Sequence, residues 1–585
     1  MIFTGTGRGL LISGLLLGLG ASGSVVTADA ATGMRGGAAE VQDSGTLVIG
    51  APDFDFIDPA LAQPQNAPFS MASWPVEDAT CALLLRYAVG TPHGVRYRLV
   101  PEVAAGYPAV SRDGRTYTFT IRKGYRFSTG RPVTAASYAS ALNRILRPAL
   151  RRALVGWNAA REMRGPIARP ASRTLDTPAV DAAEYLREVV GAAAVRQGQA
   201  RAALGVKVAG NRLIIRLTRR VPDFPARMTM PYFCPVPADL PIDPEGVAAP
   251  LPGSGPYYVA EFVRGSRVVL RRNDYYRGPR AQHLDEIVVK VGDAAATTTR
   301  KTEAGEVDVD LLVSSCCVAQ IADTYGVNKS RFFAFASPTV FYVVMNTSRP
   351  LFKNNPKLRR AVNFAIDRPK LMLQIAPFAA VGSATDDYLS TVMPGYVDAH
   401  LYPLAGPDLV NARALARGNT RSGKAVMYVC EIGGCLPNAQ TIQADLKEIG
   451  IDVELKDVPN AAATAAIGTR GEPFDLIVQK HGPVYMDPSQ VVNVMFDGRT
   501  IRATGNTNVS YFNSARYNRL IEKAARLSGK ARYAAYGKLA VDLARDAAPV
   551  AAFAVRNDRF FVSSHVGCVR AAAHGGVDLA GLCLK

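Results

Sequence analysis

The sequence predicts two α/β units on one long chain, and three observations lead there. The chain has 585 residues, more than one hydrophobic core commonly holds, so two or three packed units are expected. Near the middle, a strand over 425–430, a helix over 438–449 and a strand over 451–455 follow one another, with Gly450 as helix stop. That order is a βαβ unit, whose strands run parallel with a right-handed crossover. In the N-terminal third, strands of period two alternate with a capped helix, a second unit of the same class. Apolar residues at 48% against 20% charged supply core for both and exclude a disordered chain.

The elements can be justified in order. Arg8 precedes the apolar run Leu10–Ala21, and small residues then lead to Ala28-Asp29-Ala30. A run this short with an A-x-A site reads as a secretory signal over 1–30, not a membrane span. The first cysteine is Cys81, so export without a lipid anchor is expected, to the periplasm or the cell exterior. Thr46–Ile49 is a short buried strand. Tyr117–Arg122 alternates apolar and polar residues after the turn Asp113-Gly114, as a half-buried strand does. Thr134 caps a helix bearing Tyr138, Leu142 and Ile145 on one face. Residues 158–204 are rich in Ala and Arg and helical in pattern, and Trp157 is assigned to the core. Strand pairs follow at 206–208 with 213–217, and at 257–262 with 268–271, the second turning at Arg264-Gly265-Ser266. Asn355 and Asp367 each cap a helix with a proline, Pro356 and Pro369, in its first turn. A strand over 474–478, helices around 514–527 and 530–546, and a strand over 550–555 complete the chain.

Net charge is +19, but the arginines are spread along the chain and not clustered with aromatics. With an export signal, nucleic acid is not an expected partner, and a basic solvated surface is. Eight cysteines in an exported chain point to disulfides. Cys430 and Cys435 flank a Gly-rich turn, Cys568 and Cys583 bracket the C-terminal tail, and Cys81 with Cys234 is the remaining long-range pair. Cys316 and Cys317 form a vicinal bridge or pair elsewhere. His565, Cys568 and His574 have no zinc-ligand spacing, and no metal or cofactor is expected.

Seven segments in order resemble a known family. They are Ile57-Asp58-Pro59-Ala60, Leu99–Ala104, Asp113–Phe127, Gly253–Val259, Arg272–Tyr276, Phe341–Asn346 and Arg359–Arg368. Each alone is a strand, turn or capped helix. Together they resemble the extracellular solute-binding proteins of family 5, the oligopeptide- and dipeptide-binding group that serves ABC importers. The resemblance implies a two-lobed fold like that of type II periplasmic binding proteins, with an extra subdomain in lobe I and the ligand between lobes. It places lobe I over 46–292 with the subdomain at about 60–205, lobe II over 293–480, and the return to lobe I with the C-terminal tail over 481–585. The crossings then fall near Val291–Asp293 and Lys480–His481. It also implies a peptide or peptide-like solute, importer permease subunits as partners, and a monomer.

Ligand-facing candidates are Gln63, Asn66 and Trp74 after the first strand, and His481, Tyr485, Met486 and Asp487 after the 474–478 strand. Trp74 reads equally as core and as a stacking platform. Dipeptide binders of the family hold the peptide ammonium with an aspartate three residues before an Asp-Pro. Here the pair is Asp487-Pro488 and that position is Val484. Where the family places the arginine that holds the carboxylate, this chain reads Leu436-Pro437. A buried charge without a partner costs several kcal/mol, so binding by apolar burial and backbone hydrogen bonds is expected.

An enzyme competes least well. There are six histidines, and no G-x-S-x-G, H-E-x-x-H or P-loop pattern appears; Asp386-Asp387 reads as polar loop. An exported sensor subunit would use the same cleft as an importer component, and a secreted hydrolase is the remaining alternative.

Overall fold

The computed structural model describes residues 44–585 except 52–53, 55–56, 62–69, 89, 91–96, 151–180, 244–246, 315, 376–381, 431–434 and 573–575. The expected signal segment and Trp157 lie outside the described residues.

Two sheets organise the described chain. The first has seven strands in the order Phe332–Phe335, Asp558–Val562, Val309–Asp310, Thr46–Ala51, Glu286–Val291, Arg267–Arg272 and Tyr257–Val263. The second has six: Gly382–Ala384, Val550–Arg556, Val340–Met345, Leu476–His481, Lys424–Cys430 and Asp452–Val458. A four-stranded antiparallel sheet, from Ala109–Val110 through Val206–Ala209, carries the helix Ala135–Ile145 and its own core around Phe119, Tyr138, Leu142 and Ile215.

Local chemistry explains why these elements form. The Ser137 hydroxyl accepts the backbone N–H of Thr134 at 3.2 Å at the start of the Ala135–Ile145 helix. Asn355 accepts from Leu358 N–H at 3.4 Å ahead of Pro356–Ala365, and Asp367 accepts from Lys370 N–H at 3.0 Å. Lys424–Cys430 and Asp452–Val458 are parallel, as their βαβ order requires. Val340–Met345 is buried at every position, because Phe341, Val343 and Met345 fill one core and Val340, Tyr342 and Val344 another. A strand covered on both faces reads as a continuous apolar run. The Ala- and Arg-rich stretch shows only short helices among its described residues, Ala182–Leu186 and Ala192–Arg196.

The two sheets are joined by one pair of strands. Phe332–Phe335 pairs antiparallel with Asp558–Val562 in the first sheet, and Val340–Met345 pairs antiparallel with Val550–Arg556 in the second. The chain thus leaves the first sheet over 336–339 and returns through Asn557. The sequence places these crossings near Val291–Asp293 and Lys480–His481. After Val291, however, the helix Ala295–Ala304 leads back to Val309–Asp310, which pairs parallel with Thr46–Ala51 in the same sheet. After His481, the helices Ser489–Phe496, Ala515–Ala525 and Gly529–Asp542 pack on the core of the second sheet. Disulfides join Cys81 to Cys234 and Cys568 to Cys583. Cys316 and Cys317 are thiols with their sulfurs 2.8 Å apart. The side chains of Cys430 and Cys435 lie outside the described set.

Candidate functional site

Strand direction locates the site. Val340 lies opposite His481, so the Leu476–His481 strand ends beside the two-strand junction, and the parallel strand Lys424–Cys430 ends at the same edge. In the first sheet Asp310 lies opposite Phe561, so Val309–Asp310 ends toward the junction, and its parallel neighbour Thr46–Ala51 does too. Both sheets therefore turn the carboxyl ends of parallel strands toward the hinge. In α/β sheets the crevice outside those ends is where ligands bind.

One wall of this region is a closed chain of charge. Arg532 donates to both oxygens of Asp487 at 2.9 and 2.8 Å, and its Nη2 stands 3.9 Å from Asp223. Arg227 donates to Asp223 at 3.0 Å and to Glu188 at 2.9 Å. The Tyr485 hydroxyl donates to Asp223 at 2.5 Å. Burial alone pushes the Asp223 carboxyl up, but Arg227, Arg532 and the Tyr485 hydrogen bond outweigh it and hold it at about 2. The chain ties Glu188, Asp223 and Arg227, from before the first crossing, to Asp487 and Arg532, from before the return. The backbone N–H of Met486 adds a hydrogen bond to the Tyr87 hydroxyl at 2.8 Å.

The floor, at the hinge, is different. Phe341 has Lys480 across from it on one side and Ala554 on the other, and Arg556 follows Ala554 by two residues. Directly opposed residues share a sheet face, and so do residues two apart. Lys480 and Arg556 therefore flank Phe341 on one face, with the guanidinium 5.9 Å from the ring centroid. Both are half-buried. Burial pushes the Lys480 ammonium down to about 8, the charge of Arg556 adding to this and Asp558 opposing it. Burial also lowers Arg556. Asp558, bonded to Ser337, is raised by burial despite Arg556, Lys480 and Arg559 nearby.

The expected residues divide. Gln63 and Asn66 lie outside the described residues. Trp74 is core, 1% exposed, with its ring edge-on to Tyr232 at 6.1 Å. His481 places Nε2 2.7 Å from the Gln490 carbonyl, and burial lowers its pKa. Tyr485, Met486 and Asp487 come together, all buried and engaged with other protein groups. Val484 packs against the core that includes Tyr485, and Leu436 is exposed. Sequence reasoning missed Asp223, Arg227 and Arg532, and also Lys480 and Arg556. The sequence carries no pattern that singles them out: Lys480 is next to last in Leu476–His481, and Arg556 is last in Val550–Arg556.

Among the described residues no cluster of His, Cys, Asp and Glu could hold a metal ion, and no helix is long and apolar enough to cross a membrane.

Comparison with known proteins agrees with this architecture. Residues 98–502 match the family described as bacterial extracellular solute-binding proteins, family 5. The chain is 23% identical over 498 residues to the probable D,D-dipeptide-binding periplasmic protein DdpA of Escherichia coli, covering 82% of each. It is 23% identical over 306 residues to the heme-binding protein A of Haemophilus influenzae, covering 51% of this chain and 53% of that one. Among solved structures, the clavulanic acid biosynthesis oligopeptide binding protein 2 superposes with a TM-score of 0.74 at 21% identity, covering 93% of this chain and 96% of that one. DppA from Helicobacter pylori, in complex with the peptide STSA, gives 0.66 at 20% identity, covering 93% and 99%. The fold is that of the two-lobed type II periplasmic binding proteins.

Proposed function

The chain belongs to the bacterial extracellular solute-binding proteins of family 5, and from that premise we propose that it captures a peptide or peptide-like solute outside the cytoplasm for an ABC importer. The observation that carries this reading is the arrangement at the hinge. Two sheets, joined by one strand pair, point the carboxyl ends of their parallel strands at the same crevice. Relatives named for dipeptides and oligopeptides support the ligand class.

The hinge supplies the mechanism. Interruptions at 336–339 and at Asn557 are where two lobes can rotate, since hinges are short segments that absorb backbone change. Lobe I is then 44–335 with 558–585, and lobe II is 340–556. The Tyr485–Asp223 and Met486–Tyr87 hydrogen bonds close the far wall when the lobes meet. A solute shifts this equilibrium only by its greater affinity for the closed form, and closure is what a permease reads. Gln63 and Asn66, which follow the first strand in the sequence, are proposed to face the solute. Tyr485, Met486 and Asp487 act by holding the wall that encloses it. Apolar burial at roughly 25 cal/mol per Å² and net hydrogen bonds of about 1 kcal/mol each supply affinity.

Export rests on the segment 1–30, and N-terminal sequencing of secreted protein is expected to begin near Ala31. Native mass spectrometry of freshly purified protein tests the function. A bound molecule in the mass range of short peptides, released on denaturation, is the expected result. Protein that neither carries nor takes up any peptide would refute it.

A further inference from the structure

We infer that Lys480 and Arg556 form an anion anchor on the floor of the cleft, and that the captured solute presents a carboxylate there. This rests on the proposed peptide-capture role and sharpens it.

Other enclosed cations of this protein set the standard. Arg144 donates to both oxygens of Asp58 at 2.8 and 2.6 Å. Arg227 and Arg532 are paired with carboxylates. Arg359 donates to the Ala547 carbonyl at 2.7 Å, and Arg368 to the Ala552 and Asn363 carbonyls at 2.8 and 2.7 Å. Each of these guanidinium groups has acceptors of its own, as burial of charge requires.

Lys480 and Arg556 depart from this rule. Among the described residues neither side chain makes a hydrogen bond or an ion pair; each feels only the field of its neighbours. The carboxylate acting on both, Asp558, is itself bonded to Ser337 and made less acidic by burial. Two like charges thus stand on either side of one phenyl ring, lowered by their surroundings and short of an acceptor. A third cation, Arg559, follows after Asp558 and uses one Nη to reach the Val313 carbonyl at 3.4 Å.

Position turns this imbalance into a site. The two cations sit at the carboxyl end of the Leu476–His481 strand and at the hinge end of Val550–Arg556, where both lobes meet. Half-buried side chains with protein on most sides are reachable by a solute but poorly hydrated. An anion there meets a planar donor fork from Arg556 and a point charge from Lys480, which suits a carboxylate. Val484 gives no carboxylate to a solute ammonium. The favoured solute is therefore a peptide-like acid whose amino end is uncharged or left in water.

The test uses an equimolar library of N-acetyl tetrapeptides, each present as the free acid and as the C-terminal amide, with capture read by native mass spectrometry. Wild-type protein is expected to retain acids over amides by about thirtyfold or more, the scale of a truncated buried charge contact. Lys480→Gln and Arg556→Gln should lose that preference, and Lys480→Arg should keep most of it. Equal retention of acid and amide by wild type would overturn the anchor while leaving peptide capture intact. Retention of neither form would overturn the peptide reading itself, and the anchor with it. Because the acid–amide contrast is read on the wild type, the test decides even where a variant folds poorly.

Discussion

Two clusters of charge lie where the two lobes meet, and they are built on opposite rules. In the wall, Glu188, Arg227, Asp223, Arg532 and Asp487 alternate in sign and satisfy one another. On the floor, Lys480 and Arg556 face a single weakened carboxylate. A closed network is complete without a ligand and serves to hold structure. An open one keeps charge available at a cost in stability, a cost a binding site bears for function.

Removing a charge should therefore have opposite consequences in the two clusters. Arg532→Met removes both hydrogen bonds that Arg532 gives Asp487 and leaves a buried carboxylate without its counter-charge, held by the Ser489 N–H. It is expected to lose about 3–5 kcal/mol of unfolding free energy in denaturant titration. Lys480→Met removes a poorly solvated cation and should cost nothing or stabilise slightly. Similar losses in both would erase the distinction.

The alkaline limb sharpens it. The folded pKa of Lys480 is lowered to about 8, below its unfolded value of about 10.4. Between those values the unfolded chain binds more protons, so this group makes stability rise with pH. Capture of an acid needs the ammonium, and should weaken as pH rises through about 8. Opposite trends in melting temperature and affinity over that window are expected, with Arg556, Arg559 and Asp558 as the neighbouring charges. On the acid side, Asp223 is held at about 2. The stability it contributes is present above about 3.9 and lost as pH falls toward 2, and native melting should show that decline. The smallest effect belongs to Arg131–Asp239, paired at 2.9 Å with both side chains more than half exposed. Arg131→Ala should leave the melting temperature essentially unchanged, because solvent screens so exposed a pair.

Much of the scaffold was legible because it depends on local chemistry. Thr134, Asn355 and Asp367 announce helix starts, and Gly450 announces the end of a helix inside a βαβ unit. The crossings were not legible, because the strands that keep the chain in the first sheet are short. Val309–Asp310 and Phe332–Phe335 carry no pattern long enough to show which sheet they join. The charge chain was not legible. Tyr485, Met486 and Asp487 are buried on protein partners, and two of these, Asp223 and Tyr87, are hundreds of residues away. Lys480 and Arg556 become neighbours only through their common pairing with Val340–Met345. A cation ending an apolar strand is ordinary in a chain with 68 of them, so pattern alone could not single these two out.

The most direct test of the floor anchor is the melting shift caused by one solute in two proteins. An N-acetyl tetrapeptide acid selected from the captured library should raise the melting temperature of the wild type in proportion to the logarithm of its concentration, as ligand linkage requires. Lys480→Gln, melting no lower than wild type when empty, should show little or no shift at the same concentrations. An equal upward shift in Lys480→Gln would mean that the floor charges do not hold the solute, and would contradict the division of the cleft into a closed wall and an open floor.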